Sequence, residues 1–472
     1  MSRAAKPPEN LGKVFIASQV LVNRAAIRRP GAVILLLAAS VALMMTGFGI
    51  VMPVFARRLG ELGGGVQALG LMTVAFAASQ FVASPFMGAL ADRWGRRPLI
   101  LTALGTFVLV NIAYLFAPSV PVFILVRGVG GAFTAGLFPA AMGVVGDVVP
   151  EKERAKWIGI VMGGYGVGFI FGPALGGFLY DGWGFSAPFI ISALLALAAF
   201  AAAAILIPET RPRALRRRDA LRKQREKAIK SKIREPVWAS LPKPLYIFAT
   251  LLVLDFIGSF AFAFVEPEMV FYFYDDLGWT TVQFGTIVGA YGLAMVLGQT
   301  LLGQSSDRFG RKPVIILGIA LSVTLYAGLT FVVSFWLMAV GAMIAGLGSA
   351  LLSPALSAFY LDITPEAHRS RVLGVKESAL ALGGVLGPLA VVAISPLTTS
   401  QGIFVIAGVL NVLGALLAAF ALKERRHIAL RQESFAWEIS ERRGLAAESV
   451  LQGLALRAQS TRQPRLQNNP ND

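Results

Sequence analysis

The chain has 472 residues and a formal net charge of +17; 56% of its residues are apolar, only 15% are charged, and its mean hydropathy is +0.68. A soluble domain carries about a quarter charged residues, so this composition predicts an integral membrane protein. The absence of cysteine excludes disulfides, thiolate metal sites and cysteine nucleophiles. The two histidines, His368 and His427, lie in polar stretches, so proton transfer within the membrane would depend on carboxylates.

Twelve apolar segments are long enough to span a bilayer, which takes about 20 residues. The six segments of the first half are 31–56, 67–90, 99–117, 120–146, 155–179 and 185–207. The six segments of the second half are 245–273, 282–302, 313–333, 335–361, 371–395 and 401–422. The first segment lacks a small-residue cleavage site and is predicted to be an uncleaved span. The sequence therefore predicts an all-α membrane protein with twelve transmembrane helices in two six-helix lobes.

Five parts of the chain differ in polarity: a basic N-terminal tail (1–30), a first lobe (31–207), a basic linker (208–243), a second lobe (244–423) and a polar tail predicted to be disordered (424–472). The linker holds thirteen Lys and Arg residues against four Asp and Glu residues. Because Lys and Arg beside spans are retained in the cytoplasm, we predict that the linker and both termini are cytoplasmic. This charge favours anionic lipid headgroups as the linker's partner over nucleic acid. The predicted location is the inner or plasma membrane of the cell.

A long repeat relates the two halves. The segment GALADRWGRRPLI at Gly88–Ile100 recurs as GQSSDRFGRKPVI at Gly303–Ile315, 215 positions later. The same offset connects Pro139 with Pro354, Asp147 with Asp362, Arg154 with Arg369, and Pro173 with Pro388. One constant offset over this length indicates a duplicated unit, and many secondary transporters are built from duplicated halves. Transport is therefore the leading interpretation.

The repeated hairpin has the pattern G-x-x-x-D-R-x-G-R-(R/K). Its residues are Gly88, Asp92, Arg93, Gly95, Arg96 and Arg97 in the first half, and Gly303, Asp307, Arg308, Gly310, Arg311 and Lys312 in the second. The first glycine of each copy permits close helix approach, and the second permits a tight turn. We expect the hairpin charges to form a cytoplasmic polar lock that breaks and re-forms as the halves rock, rather than a solvated loop. The predicted lock also includes Asp147, Arg154, Asp362 and Arg369.

These motifs resemble those of the major facilitator superfamily, in particular its twelve-span drug:proton antiporter branch. The double hairpin is similar to motif A, the segment RGVGG starting at Arg127 resembles motif B, and GGYGVGFIFGPALGG at Gly163–Gly177 resembles motif C, which is associated with exporters. The sequence IPET at Ile207–Thr210 closes the sixth span as in that family. The resemblance implies the two-lobed fold of that superfamily, alternating access and small-molecule substrates. It also implies a monomer that is driven by the proton gradient and needs no cofactor or metal.

Glycine crowds the fifth span. Its motif C residues include Gly164, Gly168, Gly172, Pro173 and Gly176. Glycines permit near contact between backbones and, together with proline, a bend in the helix. By resemblance, this helix packs against a helix of the second half and shapes the outward-closed state; ordinary helix packing is the alternative.

Arg127 lies about two turns into the fourth span, where an arginine is costly and normally serves function or pairs internally. By resemblance, it contributes to proton coupling by holding partners across the cavity. The position 215 residues later is Ala342, so the second half has no equivalent. The alternative is that Arg127 extends to the outer headgroups.

Two acids lie in the seventh span. Asp255 and Glu266 are eleven residues apart, nearly three helical turns, which places both carboxylates on one face about 16 Å apart. Glu268 projects to the opposite side unless Pro267 breaks the helix. A carboxylate removed from water favours its neutral form and can exchange a proton for a cationic substrate. We therefore expect Asp255 and Glu266 to be proton or cation sites, with Arg127 as the coupling partner.

The first span, GFGIVMP at Gly47–Pro53, has no acidic residue, so proton coupling would rest on the seventh span. The sequence predicts proton-coupled efflux of hydrophobic or cationic small molecules. A dedicated carrier for one metabolite, sugar or lipid remains an alternative, as does a sensor or scaffold without transport. A membrane enzyme is disfavoured because the chain has no thiol, no histidine within a span and no clustered metal ligands.

Overall fold

The computed structural model describes residues 30–150, 153–210, 242, 244–364 and 369–422, and every regular element among them is a helix. The predicted N-terminal tail, the C-terminal tail and almost all of the linker lie outside these residues.

Twelve long helices occur among the described residues. In the first half they are α1 (Pro30–Glu61), α2 (Val66–Trp94), α3 (Arg96–Leu115), α4 (Val120–Thr134, continued by Leu137–Val148), α5 (Arg154–Trp183) and α6 (Ser186–Leu206). In the second half they are α7 (Leu245–Phe271, extended by a π-helical turn at Tyr272–Asp276), α8 (Thr281–Leu302), α9 (Arg311–Phe331), α10 (Phe335–Asp362), α11 (Arg369–Ile394) and α12 (Ser400–Ala421). All twelve are long and apolar enough to cross a membrane, which confirms the predicted fold class.

The repeat extends from the sequence to the packing. In the first half α1 packs on α5 and α6, α2 on α4, and α3 on α6; in the second half α7 packs on α11 and α12, α8 on α10, and α9 on α12. The contacts between the halves follow the same symmetry, because α5 packs on α8 and α2 packs on α11. We name the end of the bundle that holds the repeated segments the hairpin end, and the opposite end the far end.

Buried apolar residues join the two halves at the far end. One continuous cluster includes Phe55 and Phe123 of the first half together with Phe264, Trp279 and Phe404 of the second. Toward the hairpin end the buried apolar residues form two further clusters, and each of these contains residues of one half only. The halves are thus packed together at the far end and have separate cores near the hairpins.

Polar contacts also close the far end. Arg57 lies in α1 just beyond the predicted end of the first span, and its Nη2 donates to the backbone oxygen of Trp279 at 2.8 Å. Its guanidinium lies 4.0 Å from the ring centroid of Tyr274, whose hydroxyl donates to the backbone oxygen of Pro53 at 2.9 Å. We name the residues Arg57, Tyr274 and Trp279 the far-end latch, since they connect α1 with the end of α7.

The glycines of α5 are divided between two neighbours. Gly164, Gly168, Gly172 and Gly176 recur every four residues, so they form one stripe, and this stripe faces α1 of the same half. A methyl group built on Gly172 would lie 2.7 Å from the Cα of Gly49 in α1. The helix contacts α8 of the second half through another face. The contact with a second-half helix, predicted by resemblance, therefore does not use the glycine stripe.

The glycine stripe generates a stability prediction. Gly172→Ala should lower the free energy of unfolding by about 1–3 kcal/mol, because the added methyl overlaps the backbone of α1. Gly163→Ala is the matched control, since no described atom lies within 4 Å of its added methyl and alanine is the better helix former. Thermal unfolding of the purified variants in detergent measures the difference; equal midpoints for the two variants would contradict the packing argument.

The far-end latch generates a second prediction. Because the chain has no cysteine, Gly182→Cys and Asp275→Cys can carry spin labels at exposed far-end positions of the two halves. Arg57→Gln should add a population with longer label distances in double electron–electron resonance. Arg58→Gln is the control, because Arg58 pairs with Glu61 of its own helix at 2.9 Å. Identical distance distributions for wild type and Arg57→Gln would show that the latch does not hold this end closed.

Candidate functional site

The hairpin between α2 and α3 is held by residues of the first lobe and by the first residues of the linker. Gly95 turns the chain at φ +109°, and the backbone N–H of Arg96 donates to Glu209 Oε1 at 3.1 Å. Arg96 Nε lies 3.5 Å from Asp147 Oδ2, which also accepts a hydrogen bond from Thr210 at 3.1 Å. The IPET segment, which the sequence analysis used only as a family marker, therefore completes this charged cluster.

The second hairpin has a similar cluster around Arg311. Gly310 turns the chain at φ +95°, Arg311 Nε lies 2.9 Å from Asp362 Oδ2, and Arg311 Nη1 lies 2.6 Å from Asp307 Oδ1. The side chains of Asp362 and Asp307 are 41% and 60% exposed. Ion pairs this exposed contribute about 0–1 kcal/mol each, so these contacts orient the hairpin more than they stabilise it.

The other residues of the predicted lock occupy varied positions. Arg97 donates to the backbone oxygen of Ala204, and Arg154 Nη2 donates to that of Gly146 at 3.1 Å; both contacts stay within the first half. Exposed side chains belong to Arg93, Arg308 and Arg369, Lys312 is half-buried, and Asp92 is described only by its helical backbone.

The expectation of close helix approach at the first glycine of each hairpin does not hold in this conformation. No described atom lies within 4 Å of a methyl built on Gly88, and for Gly303 the nearest contact is Gln299 of the preceding turn. Helix α2 meets α11 near the far end instead, where Gly70 faces Val392. Because the halves are packed together at the far end, α2 and α11 diverge toward the hairpins, and the face of Gly88 is left open.

Arg127 points into the protein. Its guanidinium carbon lies 4.2–4.9 Å from the ring centroids of Phe48, Phe55 and Phe76, which belong to α1 and α2. It interacts electrostatically with Tyr114 of α3 and with Glu266 of α7. Arg127 therefore does not extend to the outer headgroups, which was the alternative. Instead, Arg127 is attracted by a carboxylate that belongs to the other half.

The acids of α7 have different surroundings. The helix continues through Pro267, so neighbouring acids project to different partners. Glu266 faces Arg127, whereas the buried Glu268 accepts a hydrogen bond on Oε1 from the hydroxyl of Ser400 in α12 at 2.8 Å. Glu268 therefore connects two helices of the second half, whereas Glu266 interacts electrostatically with the first half.

Asp255 shares its surroundings with a lysine that the sequence analysis missed. Asp255 is 6% exposed and lines a cavity of about 290 Å³ inside the second half, together with Lys376 of α11, which is 7% exposed. Lys376 attracts Asp255 electrostatically, and Tyr360 of α10 is a further neighbour of this carboxylate. The sequence did contain the signal, because a lysine inside a predicted span is by default a candidate functional residue.

A second cavity, of about 720 Å³, lies between the halves toward the hairpin end. Its walls come from α2 and α4 of the first half and from α11 of the second. They include the polar side chains of Gln80, Glu377 and Ser378, and the apolar rings of Phe81 and Phe138. A compound that enters here would contact both lobes.

Comparisons with known proteins agree with this architecture. The family pattern described as the Major Facilitator Superfamily matches residues 34–272 and 251–438. The chain is 27% identical to Multidrug resistance protein 2 of Bacillus subtilis over 359 residues, which cover 75% of this chain and 87% of that protein. It is 25% identical to the quinolone resistance protein NorA of Staphylococcus aureus over 395 residues, which cover 84% of this chain and 97% of NorA.

A solved structure has the same fold. It is a bacterial homolog to the human lysosomal transporter Spinster in an inward-facing, unoccupied conformation. It superposes with a TM-score of 0.65 over 84% of this chain and 97% of its own, at 16% identity. With a family pattern that matches well over half of its length and twelve apolar helices arranged in this fold, the chain belongs to the Major Facilitator Superfamily and is a multi-pass membrane transport protein, not an enzyme.

Proposed function

We propose that this chain is a secondary active transporter that exports hydrophobic or cationic small molecules in exchange for protons, by alternating access. The observation that carries the proposal is the electrostatic attraction between Arg127, which lies among three phenylalanine rings of the first half, and the carboxylate of Glu266 in the second half. The named relatives support the substrate class, because they are a multidrug and a quinolone resistance protein. The proton gradient, rather than a bound cofactor, is the proposed energy source.

Alternating access is supported by the distribution of contacts between the halves. The far end is closed by the far-end latch and by the shared apolar cluster, while the cavity of about 720 Å³ lies toward the hairpin end. The positive-inside rule places the hairpins and the linker in the cytoplasm, with the linker against anionic headgroups. In that orientation the protein is open toward the cytoplasm and ready to accept a compound for export.

Glu266 and Arg127 supply the coupling step. While Glu266 is ionised, its attraction to Arg127 helps to hold the two halves together. Protonation of Glu266 removes this attraction, so the equilibrium shifts between the arrangement open to the cytoplasm and the arrangement open to the other side of the membrane. Asp255 would be a second protonatable site, deeper in the second half. Each proton that moves inward can contribute about 2.3 kcal/mol per 100 mV of membrane potential.

The three phenylalanine rings around Arg127 support a role for the planar shape of its guanidinium group. Three phenylalanine rings surround the planar guanidinium, and a lysine ammonium offers no equivalent flat surface for stacking. Arg127→Lys should therefore reduce gradient-driven efflux while leaving substrate exchange at equal pH measurable. Counterflow of a labelled substrate in liposomes measures exchange; full gradient-driven efflux in this variant would contradict the coupling role.

The acids are tested in liposomes with an imposed pH gradient and a panel of lipophilic cations, neutral drugs and sugars. Asp255→Asn and Glu266→Gln should each weaken gradient-driven efflux of several unrelated lipophilic compounds, and the double variant should reduce it to the background of empty liposomes. Asp275→Asn, at an exposed position beside the same helix, is the control and should retain activity.

Three outcomes would overturn parts of this proposal. Full gradient-driven efflux in the double variant would show that the two acids take no part in the coupling step. Transport of a single compound, indifferent to the gradient, would make the chain a dedicated facilitator for one metabolite, sugar or lipid. Absence of flux for every compound would favour a sensor or scaffold.

A further inference from the structure

The cavity inside the second half is separate from the cavity between the halves. Residues of all six helices from α7 to α12 line it, and it has a volume of about 290 Å³. Ligand pockets generally measure about 300–1,000 Å³, so this cavity matches a compound of amino-acid size better than a multi-ring drug. Its walls combine apolar side chains, such as Leu254 and Phe262, with several hydroxyl groups.

Two opposite charges reach this cavity without pairing to each other. Asp255 and Lys376 are both more than nine-tenths buried, yet no ion pair joins them among the described residues. Asp255 Oδ2 has no hydrogen-bond partner in the described part of the chain. Among the described residues, the ammonium of Lys376 has a single long polar contact, 3.5 Å to Oε1 of Glu377, whose side chain is 69% exposed. An anionic hydrogen-bond acceptor on Asp255 and a cationic hydrogen-bond donor on Lys376 are therefore available to a ligand inside the cavity.

The electrostatics of the pair select among ligands. A compound with only a positive charge is attracted by Asp255 and repelled by Lys376. A compound with only a negative charge is attracted by Lys376 and repelled by Asp255. A compound that carries both charges satisfies both side chains at once. Because a buried charge without a partner is costly, this complementary occupation is favoured over binding of either single charge.

Polar side chains in the cavity wall can orient a bound ligand. The hydroxyl of Tyr291 lies 2.8 Å from that of Ser349, and Tyr326 lies near the side chain of Asn411. These groups line the same cavity as the charged pair and can bind further polar atoms of a ligand.

The pair belongs to the second half alone. The positions 215 residues before Asp255 and Lys376 are Ser40 and Val161, neither of which carries a charge. The duplicated architecture therefore does not require these charges, and their presence in one half points to a specific task.

We propose that the cavity of the second half is a binding site for a small zwitterion, whose ammonium group contacts Asp255 and whose carboxylate contacts Lys376. This would be a second substrate class beside the lipophilic compounds of the proposed export function, and its binding can be measured without a proton gradient. The site differs from the inter-lobe cavity in position, size and charge.

Three probes that share a phenyl group and a short chain test the charge requirement: L-phenylalanine (zwitterion), phenethylamine (cation) and 3-phenylpropionate (anion). Equilibrium binding of each radiolabelled probe is measured on the purified full-length protein in lipid nanodiscs, without a pH gradient. The wild type should bind phenylalanine at least about tenfold more tightly than either singly charged probe, since each charged contact is worth roughly that factor or more.

Two variants reverse the preference in opposite directions. Lys376→Met should weaken phenylalanine binding and strengthen phenethylamine binding, whereas Asp255→Asn should weaken phenylalanine binding and strengthen phenylpropionate binding. Lys156→Met and Asp275→Asn, at exposed positions, are the charge-matched controls and should bind as the wild type does. Lys376→Arg keeps the positive charge and should retain the zwitterion preference, which separates loss of charge from loss of folding.

The proposal is overturned if the wild type binds phenethylamine as tightly as phenylalanine, or if Lys376→Met weakens all three probes equally while Lys376→Arg binds normally. Gradient-driven efflux of lipophilic cations is measured on the same wild-type preparation in liposomes. Efflux without zwitterion binding would reject only this inference, and zwitterion binding without efflux would reject only the proposed function.

Discussion

A charge that leaves water inside an apolar bundle needs a partner within the protein, and this requirement determines how the two halves of this chain meet. Arg57 finds its partners in the backbone oxygen of Trp279 and the ring of Tyr274, and Arg127 faces Glu266. The contacts of Arg57 join the first half to the second, and the attraction between Arg127 and Glu266 acts between the same two halves. The apolar cluster packs the two halves together at the far end, while these charges specify which surfaces come together.

The symmetry of the scaffold and the asymmetry of its charges have different origins. Helix pairs recur at the constant offset because each half must bury the same apolar faces, so α5 on α8 and α2 on α11 are equivalent contacts. Arg127 and Lys376 have no charged counterpart at that offset, since Ala342 and Val161 occupy those positions. Duplication thus accounts for the architecture, and single positions in one half account for the chemistry.

The twelve helices were predictable because apolar length alone defines a span, and the turns at Gly95 and Gly310 follow from residues within the hairpins. Contacts between residues far apart in the sequence were not predictable: Arg57 and Trp279 are 222 positions apart, and no local pattern connects them. The neighbour of the glycine stripe depends on how α5 is rotated, which hydropathy does not specify. The open face of Gly88 depends on the conformation of the whole bundle. Lys376 was visible in the sequence and was overlooked.

The divergence of α2 and α11 toward the hairpins has a consequence for how compounds arrive. Phe81 and Phe86 of α2 are 50% and 71% exposed, and Phe81 also lines the cavity between the halves. In a bilayer these rings would lie against acyl chains, so the cavity would be accessible sideways from the hydrocarbon as well as from the cytoplasm. A lipophilic compound would then be captured from the leaflet in which it is dissolved. Its effective concentration at the protein would follow its partition coefficient, so its apparent affinity would vary with the lipid composition of the membrane.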